Sequence, residues 1–307
     1  MSGRIVILGV FVADTAYRAD RQPKIGETIL GRSFALGPGG KGSNQAIAAA
    51  KAGGHVHFIS RLGRDPFAEM AQDTWAQAGV HPEITEDPES YTGAAYIFIE
   101  QGTGNNAIII SPGAAGCISV ADIESRADLI AGASVFVTQL EQPIDAAHRA
   151  LEIARAGCAQ TILNPAPAAS IPDEMLALCD YATPNESEAE SITGIAVTSA
   201  ETAAKAAGAF LDRGVRAAII TLGENGALYR DRKTTVHVPA FRAGPVAETT
   251  GAGDAFNGGL AAALAEGKDP IYAIRFGCAT AAISVTRPGT APSMPSRIEI
   301  DALLRGS

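Results

Sequence analysis

The chain has 307 residues, 47% of them hydrophobic, enough to bury a sizeable core as one large α/β domain or as one domain with an appendage. Its formal net charge of −9 argues against nucleic-acid partners, which require a basic surface. The cysteines Cys117, Cys158, Cys179 and Cys278 form no Cys-x-x-Cys pair, so free thiols are expected rather than a zinc knuckle or disulfide framework.

The first apolar run, residues 5–13, is too short to span a membrane and has neither a basic lead nor a small-residue cleavage site. No membrane association is expected, and a cytoplasmic location is. Residues 4–8 form a compact β-branched run closed by Gly9, as a buried first strand would be. A dinucleotide-binding fold would continue with G-x-G-x-x-G, but Gly9 is followed by Val10, Phe11 and Val12, which disfavours a dehydrogenase. Asp14 lies just past the strand, where open α/β sheets bind ligands; a solvated turn acid would look the same.

Residues 15–36 read as extended strands outside the main sheet. Residues 92–100 alternate similarly, turn through 101–106 and return over 107–111. These pieces, about 14–37 and 92–111, are predicted to form one small sheet, a lid on a single α/β domain spanning 1–307. Between them, Gly37-Pro38-Gly39-Gly40-Lys41-Gly42-Ser43-Asn44-Gln45 precedes an alanine-rich helix predicted over 46–52. It is not a Walker A loop. Its polar donors beside a helix start suit a polyol or an anion; a merely flexible loop is the plainer reading.

Strands and helices then alternate. Strand 55–60 leads to a helix opened by Asp65-Pro66. Strand 134–139 runs into Leu140-Glu141-Gln142-Pro143 and a helix over 144–156. Strand 161–163 runs into Asn164-Pro165-Ala166-Pro167, 181–183 into Pro184-Asn185-Glu186-Ser187-Glu188, and 217–222 into Gly223-Glu224-Asn225-Gly226. Such alternation implies a mostly parallel sheet covered on both faces, with Asp14, Glu141, Asn164, Asn185, Glu188 and Thr221 gathered at the carboxyl ends of its strands. Glu186, Glu188 and Glu190 also fit plain first-turn acids, and Gly223 and Gly226 a plain hairpin. Trp75, His148, Cys158 and His237 read as structural, and Gly258 and Gly259 as permitting close helix packing.

The most informative stretch is Glu248-Thr249-Thr250-Gly251-Ala252-Gly253-Asp254-Ala255-Phe256-Asn257, a glycine turn opening into an apolar helix. Unpaired N–H groups and the helix dipole make such a turn an anion site. A carboxylate beside it, Asp254, suits a base that takes a proton from an attacking hydroxyl. An N-cap or first-turn acid is the competing reading.

Together the signatures 39–45, 183–190 and 250–258, with Leu140-Glu141, Asn164 to Pro167 and Thr221-Leu222-Gly223 in order between them, resemble the ribokinase-like carbohydrate kinases from the first strand to the last helix. The resemblance implies a doubly wound, mostly parallel sheet with helices on both faces and a small β-sheet lid. It also implies ATP-dependent phosphorylation of a sugar hydroxyl, in the nearest branch O5 of ribose. On that basis Asp254 is the base, and the amides of Gly251, Ala252 and Gly253 form the anion hole. Asp14, Gly40, Lys41, Asn44 and Glu141 bind sugar; Asn185, Thr221, Gly223, Gly226, Gly253 and Cys278 lie on the nucleotide side. Glu188 positions Mg²⁺ through water, and Glu248, Thr250, Ser284, Arg287, Gly289 and Ser293 surround an activating K⁺. A homodimer through the lid is implied as well.

Two departures bear on that reading. Glu248 stands where the family has Asp, which puts K⁺ activation in doubt, and Val12 stands where bacterial members carry a sugar-binding Asn. A kinase for another sugar or nucleoside, such as 2-deoxyribose or pseudouridine, is therefore the alternative, and a non-catalytic sugar- or nucleotide-binding protein a remote one.

Overall fold

Parallel strands covered on both faces must be apolar throughout, and Ile5, Val6, Ile7 and Leu8 of the first strand are all fully buried. The computed structural model describes residues 3–103 and 105–306. Its strands are β1 (Arg4–Leu8), β2 (Val12–Ala19), β3 (Ser33–Gly39), β4 (His55–Leu62), β5 (His81–Glu86), β6 (Thr92–Glu100), β7 (Asn106–Gly113), β8 (Val135–Thr138), β9 (Gln160–Leu163), β10 (Tyr181–Ala182), β11 (Ala217–Thr221), β12 (Ala227–Asp231) and β13 (Thr235–Val238). Nine form one sheet in the order β13-β12-β11-β10-β9-β8-β1-β4-β5, parallel except for β12 and β13. Even–odd alternation sends Ile5, Ile7, Val56 and Phe58 to one face, against the helices Lys41–Lys51, Pro66–Ala78, Ala252–Ala265 and Pro270–Ser284. Val6, Leu8, Ile59 and Phe136 go to the other, against Ile144–Ala156 and Ala200–Asp212. This is the doubly wound, ribokinase-like α/β sheet.

Strand order reverses beside β1: the chain moves outward through β4 and β5, then returns to β8 on the other side. That reversal opens a crevice at the carboxyl ends of β1 and β8. A separate four-stranded sheet, β3-β2-β6-β7, forms the lid.

Several boundaries differ from the expectation. The lid strand β2 begins at Val12, two residues before the expected start of the lid, and Asp14 lies within that strand rather than in a turn past β1. Residues 20–32 carry no strand. The first long helix starts at Lys41, not at residue 46, because Gly40 turns the chain at φ 89° directly from β3. The β6–β7 turn includes Gly104, which lies outside the described residues. Trp75 is core, with its indole Nε1 donating to Ser43 Oγ at 2.8 Å. Asp65 caps its helix as expected, Oδ1 accepting from Ala68 N at 2.9 Å. Among the described residues no helix is long and apolar enough to cross a membrane.

Candidate active site

Backbone proximity builds the site. A Cβ on Gly258 would sit 2.5 Å from Ala48 Cβ and 2.7 Å from Gln45 O, so the Ala252–Ala265 helix packs directly onto the Lys41–Lys51 helix. A Cβ on Gly42 would meet Gly9 Cα at 2.6 Å, holding the start of that first helix against the end of β1. The amino ends of both helices consequently meet at the crevice.

Asp254, in the first turn of the second helix, is buried and turns towards the first. Its Oδ2 accepts from Asn44 Nδ2 and its Oδ1 from Gln45 Nε2, both at 3.1 Å. The helix is capped by Gly251 at φ 80°, with no side-chain capping bond, so Asp254 is no N-cap. Burial raises its pKa; the Lys41 charge and the two amides oppose that rise.

Lys41 is the cation among several carboxylates. Its backbone N–H donates to Glu141 Oε2 at 2.8 Å. Burial lowers its pKa, but Asp254, Glu141 and Glu188 outweigh burial and the net shift is upward. Burial raises Glu141 to about 7 against the pull of Lys41, with Asp254 and Asp14 adding repulsion. Asp14 is raised to about 6 by burial, then by Asp254 and Glu248. Its carboxylate fits because residue 39 is glycine: a Cβ there would lie 2.3 Å from Oδ2. Carboxylates so perturbed and so close are a mark of a functional site.

Beneath them runs a buried amide chain that sequence reasoning did not assemble. Gln139 Nε2 donates to Gln45 Oε1 at 2.7 Å, and Gln45 Nε2 reaches Asn164 Oδ1 at 3.0 Å as well as Asp254. Asn164 Nδ2 donates to Thr183 O at 3.1 Å, Thr183 Oγ1 to Asn257 Oδ1 at 2.7 Å, and Asn257 Nδ2 to Gly253 O at 2.8 Å. The chain ties the glycine turn to the ends of β8, β9 and β10. Motif order carried these residues, but nothing in their spacing announced that they bond one another.

A cleft of about 130 Å³ opens between the glycine turn and the strand ends, lined by Lys41, Gly251, Gly253 and Asp254 on one side and by Asn164, Thr183, Asn185, Glu188 and Thr221 on the other. Gly251 and Gly253 amides have no hydrogen-bond partner among the described residues, whereas the Ala252 N–H donates to Thr249 O at 3.2 Å. Asn185 and Glu188 form a reciprocal capping box, at 2.8 and 2.9 Å, as a first-turn acid would. Glu188 nonetheless faces the cleft, and burial raises its pKa, opposed by the Asn185 N–H and Lys41.

Gly223 and Gly226 sit in the β11–β12 turn; a Cβ on Gly226, at φ 91°, would lie 2.1 Å from Val238 O. Cys278 is not on the cleft wall: it is buried in the Pro270–Ser284 helix, where burial pushes its thiol up to about 12. Glu248 Oε2 accepts from Gly289 N at 2.8 Å, and the Ala247 and Glu248 N–H groups both donate to Val285 O. Thr250 lies in the turn that leads into Gly251. Ser284 and Ser293 hydroxyls bond local carbonyls, and Arg287 pairs with Glu299 instead of turning inward. Thr290 Oγ1 donates to Pro38 O at 3.0 Å, joining this loop to the lid strand β3.

Among the described residues no cluster of three or more His, Cys, Asp or Glu is arranged to hold a metal ion.

The family model for pfkB family carbohydrate kinases matches residues 3–297. The chain is 38% identical over 300 residues to the ribokinase of Haemophilus influenzae, covering 97% of each, and 36% identical over 294 residues to the deoxyribokinase of Salmonella typhi, covering 95% of each. Among solved structures, Arabidopsis thaliana ribokinase complexed with ribose and ATP aligns over 100% of both chains, with a TM-score of 0.93 and 30% identity.

Proposed function

The chain belongs to the pfkB family of carbohydrate kinases, and from that premise we propose that it transfers the γ-phosphoryl group of ATP to the O5 hydroxyl of D-ribose, giving ribose 5-phosphate and ADP. The observation that carries this reading is Asp254, a buried carboxylate held by two amide donors beside the free amides of a helix-opening turn.

The residues divide the work as follows. Asp254 accepts the proton of the attacking hydroxyl; its raised pKa brings it closer to the operating pH, where a general base is most effective. Asn44, Gln45 and Lys41 keep it charged until then. The amides of Gly251 and Gly253 stabilise the charge that builds on the transferred phosphoryl, with the helix amino end behind them. Ala252 joins them once its bond to Thr249 opens. Asp14, Glu141, Asn44 and the Gly40 backbone hold the sugar, because vicinal hydroxyls both donate and accept. Asn185, Thr221 and the Gly223–Gly226 turn receive the nucleotide.

Glu188 fits Mg²⁺: it lines the cleft across from Asp254, and one carboxylate destabilised as an anion by burial suits an ion that keeps several waters. Mg²⁺ would neutralise charge on the β- and γ-phosphates. For K⁺, Glu248 and the loop at Gly289 are already joined, so the longer side chain still reaches that loop. Arg287 and the Ser284 and Ser293 hydroxyls would serve by shaping the carbonyls around the ion.

Val12 favours a second reading. Its buried, apolar side chain cannot hydrogen-bond a hydroxyl, so an acceptor lacking one, 2-deoxyribose, would lose less here than in a polar site. The similarity to a deoxyribokinase points the same way. On this reading the enzyme acts in the cytoplasm, where MgATP is supplied.

The test is ADP release from MgATP with ribose, 2-deoxyribose, fructose and nucleosides, each with K⁺ and with Na⁺, and the phosphate located by NMR. Preference for ribose, a product phosphorylated on O5 and stimulation by K⁺ are expected. Preference for 2-deoxyribose would establish the second reading; no turnover with any acceptor despite ATP binding would overturn both.

A further inference from the structure

Thr290 stands between the lid and the glycine turn. The lid strand β3 is an edge strand, and an edge strand presents carbonyls that no neighbouring strand pairs. One of them, Pro38 O, accepts the hydroxyl of the buried Thr290 at 3.0 Å. The same side chain reaches the catalytic helix as well. A Cβ on Gly251 would sit 3.2 Å from Thr290 Cγ2 and 3.3 Å from Thr290 Cβ, so Thr290 packs on the glycine that caps that helix.

The loop carrying Thr290 is anchored to the body on both sides. Gly289 N donates to Glu248 Oε2 at 2.8 Å and Arg287 pairs with Glu299; further on, Lys51 Nζ donates to Met294 O at 2.9 Å. A hydroxyl that only shaped this loop would bond within its own segment, as Ser293 Oγ does to Thr290 O at 2.7 Å. The Thr290 hydroxyl instead crosses 252 residues of sequence to the lid. Where it lands is equally specific. Pro38 directly precedes Gly39, which leaves room for the Asp14 carboxylate, and then Gly40 and Lys41. A shift of β3 on sugar binding therefore has a path to Gly251 that does not run through the sugar itself.

We infer that Thr290 is a positioning residue for phosphoryl transfer: its hydroxyl ties the sugar-holding strand of the lid to the turn that bears the Gly251 and Gly253 amides. The inference rests on the kinase reading above. Sugar on the lid side sets the turn for the nucleotide, and nucleotide on the turn sets the lid for the sugar. Two ligands that bias one shared element must raise each other's affinity by the same factor.

The experiment compares wild type with Thr290→Val, which keeps the branched shape against Gly251 but cannot donate, and with Thr290→Ser, which keeps the hydroxyl. Calorimetry gives the Kd of the sugar that supports turnover, D-ribose or 2-deoxyribose, alone and with saturating Mg²⁺ and AMP-PNP, a non-hydrolysable ATP analogue. In wild type and Thr290→Ser the nucleotide should tighten sugar binding about 5-fold or more; in Thr290→Val that factor should fall to about 1, with the Kd of sugar alone within about 2-fold of wild type. The kcat of Thr290→Val should fall about 10–100-fold, as misplacement of the amides would cause, and Thr290→Ser should restore it. Amide hydrogen exchange across residues 287–293 should be slowed by sugar alone in wild type and not in Thr290→Val. A coupling factor that survives in Thr290→Val, a wild type that binds sugar and nucleotide independently, or a Thr290→Ser as impaired as Thr290→Val would each overturn the inference. Should Thr290→Val fail to fold, wild-type exchange decides alone: a 287–293 segment unaffected by bound sugar overturns it. A wild type that turns over no acceptor would overturn the kinase reading, and this inference with it.

Discussion

Asn44 and Asp254 stand 210 residues apart in sequence, yet Asn44 Nδ2 lies 3.1 Å from Asp254 Oδ2 in the buried centre of the molecule. Together with Gln45, Asn44 belongs to the first helix, and both reach across to a carboxylate of the second. The base is thus held from outside its own helix, and its charge depends on that partner.

Replacing Gln45 tests the dependence. Gln45→Met keeps the volume but removes the Nε2 donor from Asp254 and Asn164 and the acceptor from Gln139. Stranding buried amides costs about 1–3 kcal/mol each, so the melting temperature should fall. Loss of a donor to the carboxylate raises its pKa, so the acid limb of the kcat/KM profile should move to higher pH. An unmoved limb would show that Asp254 does not govern it.

Glu141 predicts a pH dependence of stability. Its pKa rises from 4.5 to about 7 on folding, so its favourable contribution is complete below 4.5 and is lost as the pH climbs through about 7. His55, lowered on folding, works the other way in an overlapping range. Comparing wild type with Glu141→Gln at each pH cancels the His55 contribution. The variant should gain stability relative to wild type between pH 5 and pH 8, as measured by urea denaturation of the ligand-free protein. A difference independent of pH would contradict the assignment.

Gly258→Ala should destabilise although alanine is the better helix former. The added methyl group would press on Ala48 and on the Gln45 carbonyl, forcing the helices apart. Overpacking of this kind costs about 1–3 kcal/mol. Since the displaced helix carries Asn44 and Gln45, kcat should fall along with the melting temperature.

On the lid, the strand register places Tyr17, Phe34, Leu36 and Ile109 on one face, all substantially exposed, with Tyr17 packed on Phe34 and Tyr96 at ring distances of 5.0 and 5.6 Å. An exposed apolar face of this kind suits pairing with a second copy. Light scattering should give twice the chain mass of 31.4 kDa, and Leu36→Asp/Ile109→Asp should halve it. A monomeric wild type at micromolar concentration would rule the dimer out.

Sequence legibility followed local physics. Asp65-Pro66 announced a helix start because both residues act on their own turn, and 144–156 was readable as a helix because its apolar stripe and flanking proline are local signals. The start at Lys41 was hidden: its cap is a positive-φ glycine without a side chain, followed by Gly42, a poor helix former. β5 was missed because Pro82 breaks the strand pattern, and an edge position is what lets a proline sit there. For Glu188, the sequence offered either a helix-start acid or a site residue, and the side chain forms a capping bond while facing the cleft. The role of Asp254 turned on its partners, and partners 209 and 210 residues away have no local signature.

The central claim, that Asp254 is a base and not a binding residue, is tested most directly by Asp254→Asn. The side chain keeps its shape but cannot accept a proton. The account predicts that kcat falls by about 10²–10⁴-fold, while calorimetric dissociation constants for the sugar and for ATP stay within a few-fold of wild type. A kcat within 10-fold of wild type would contradict it.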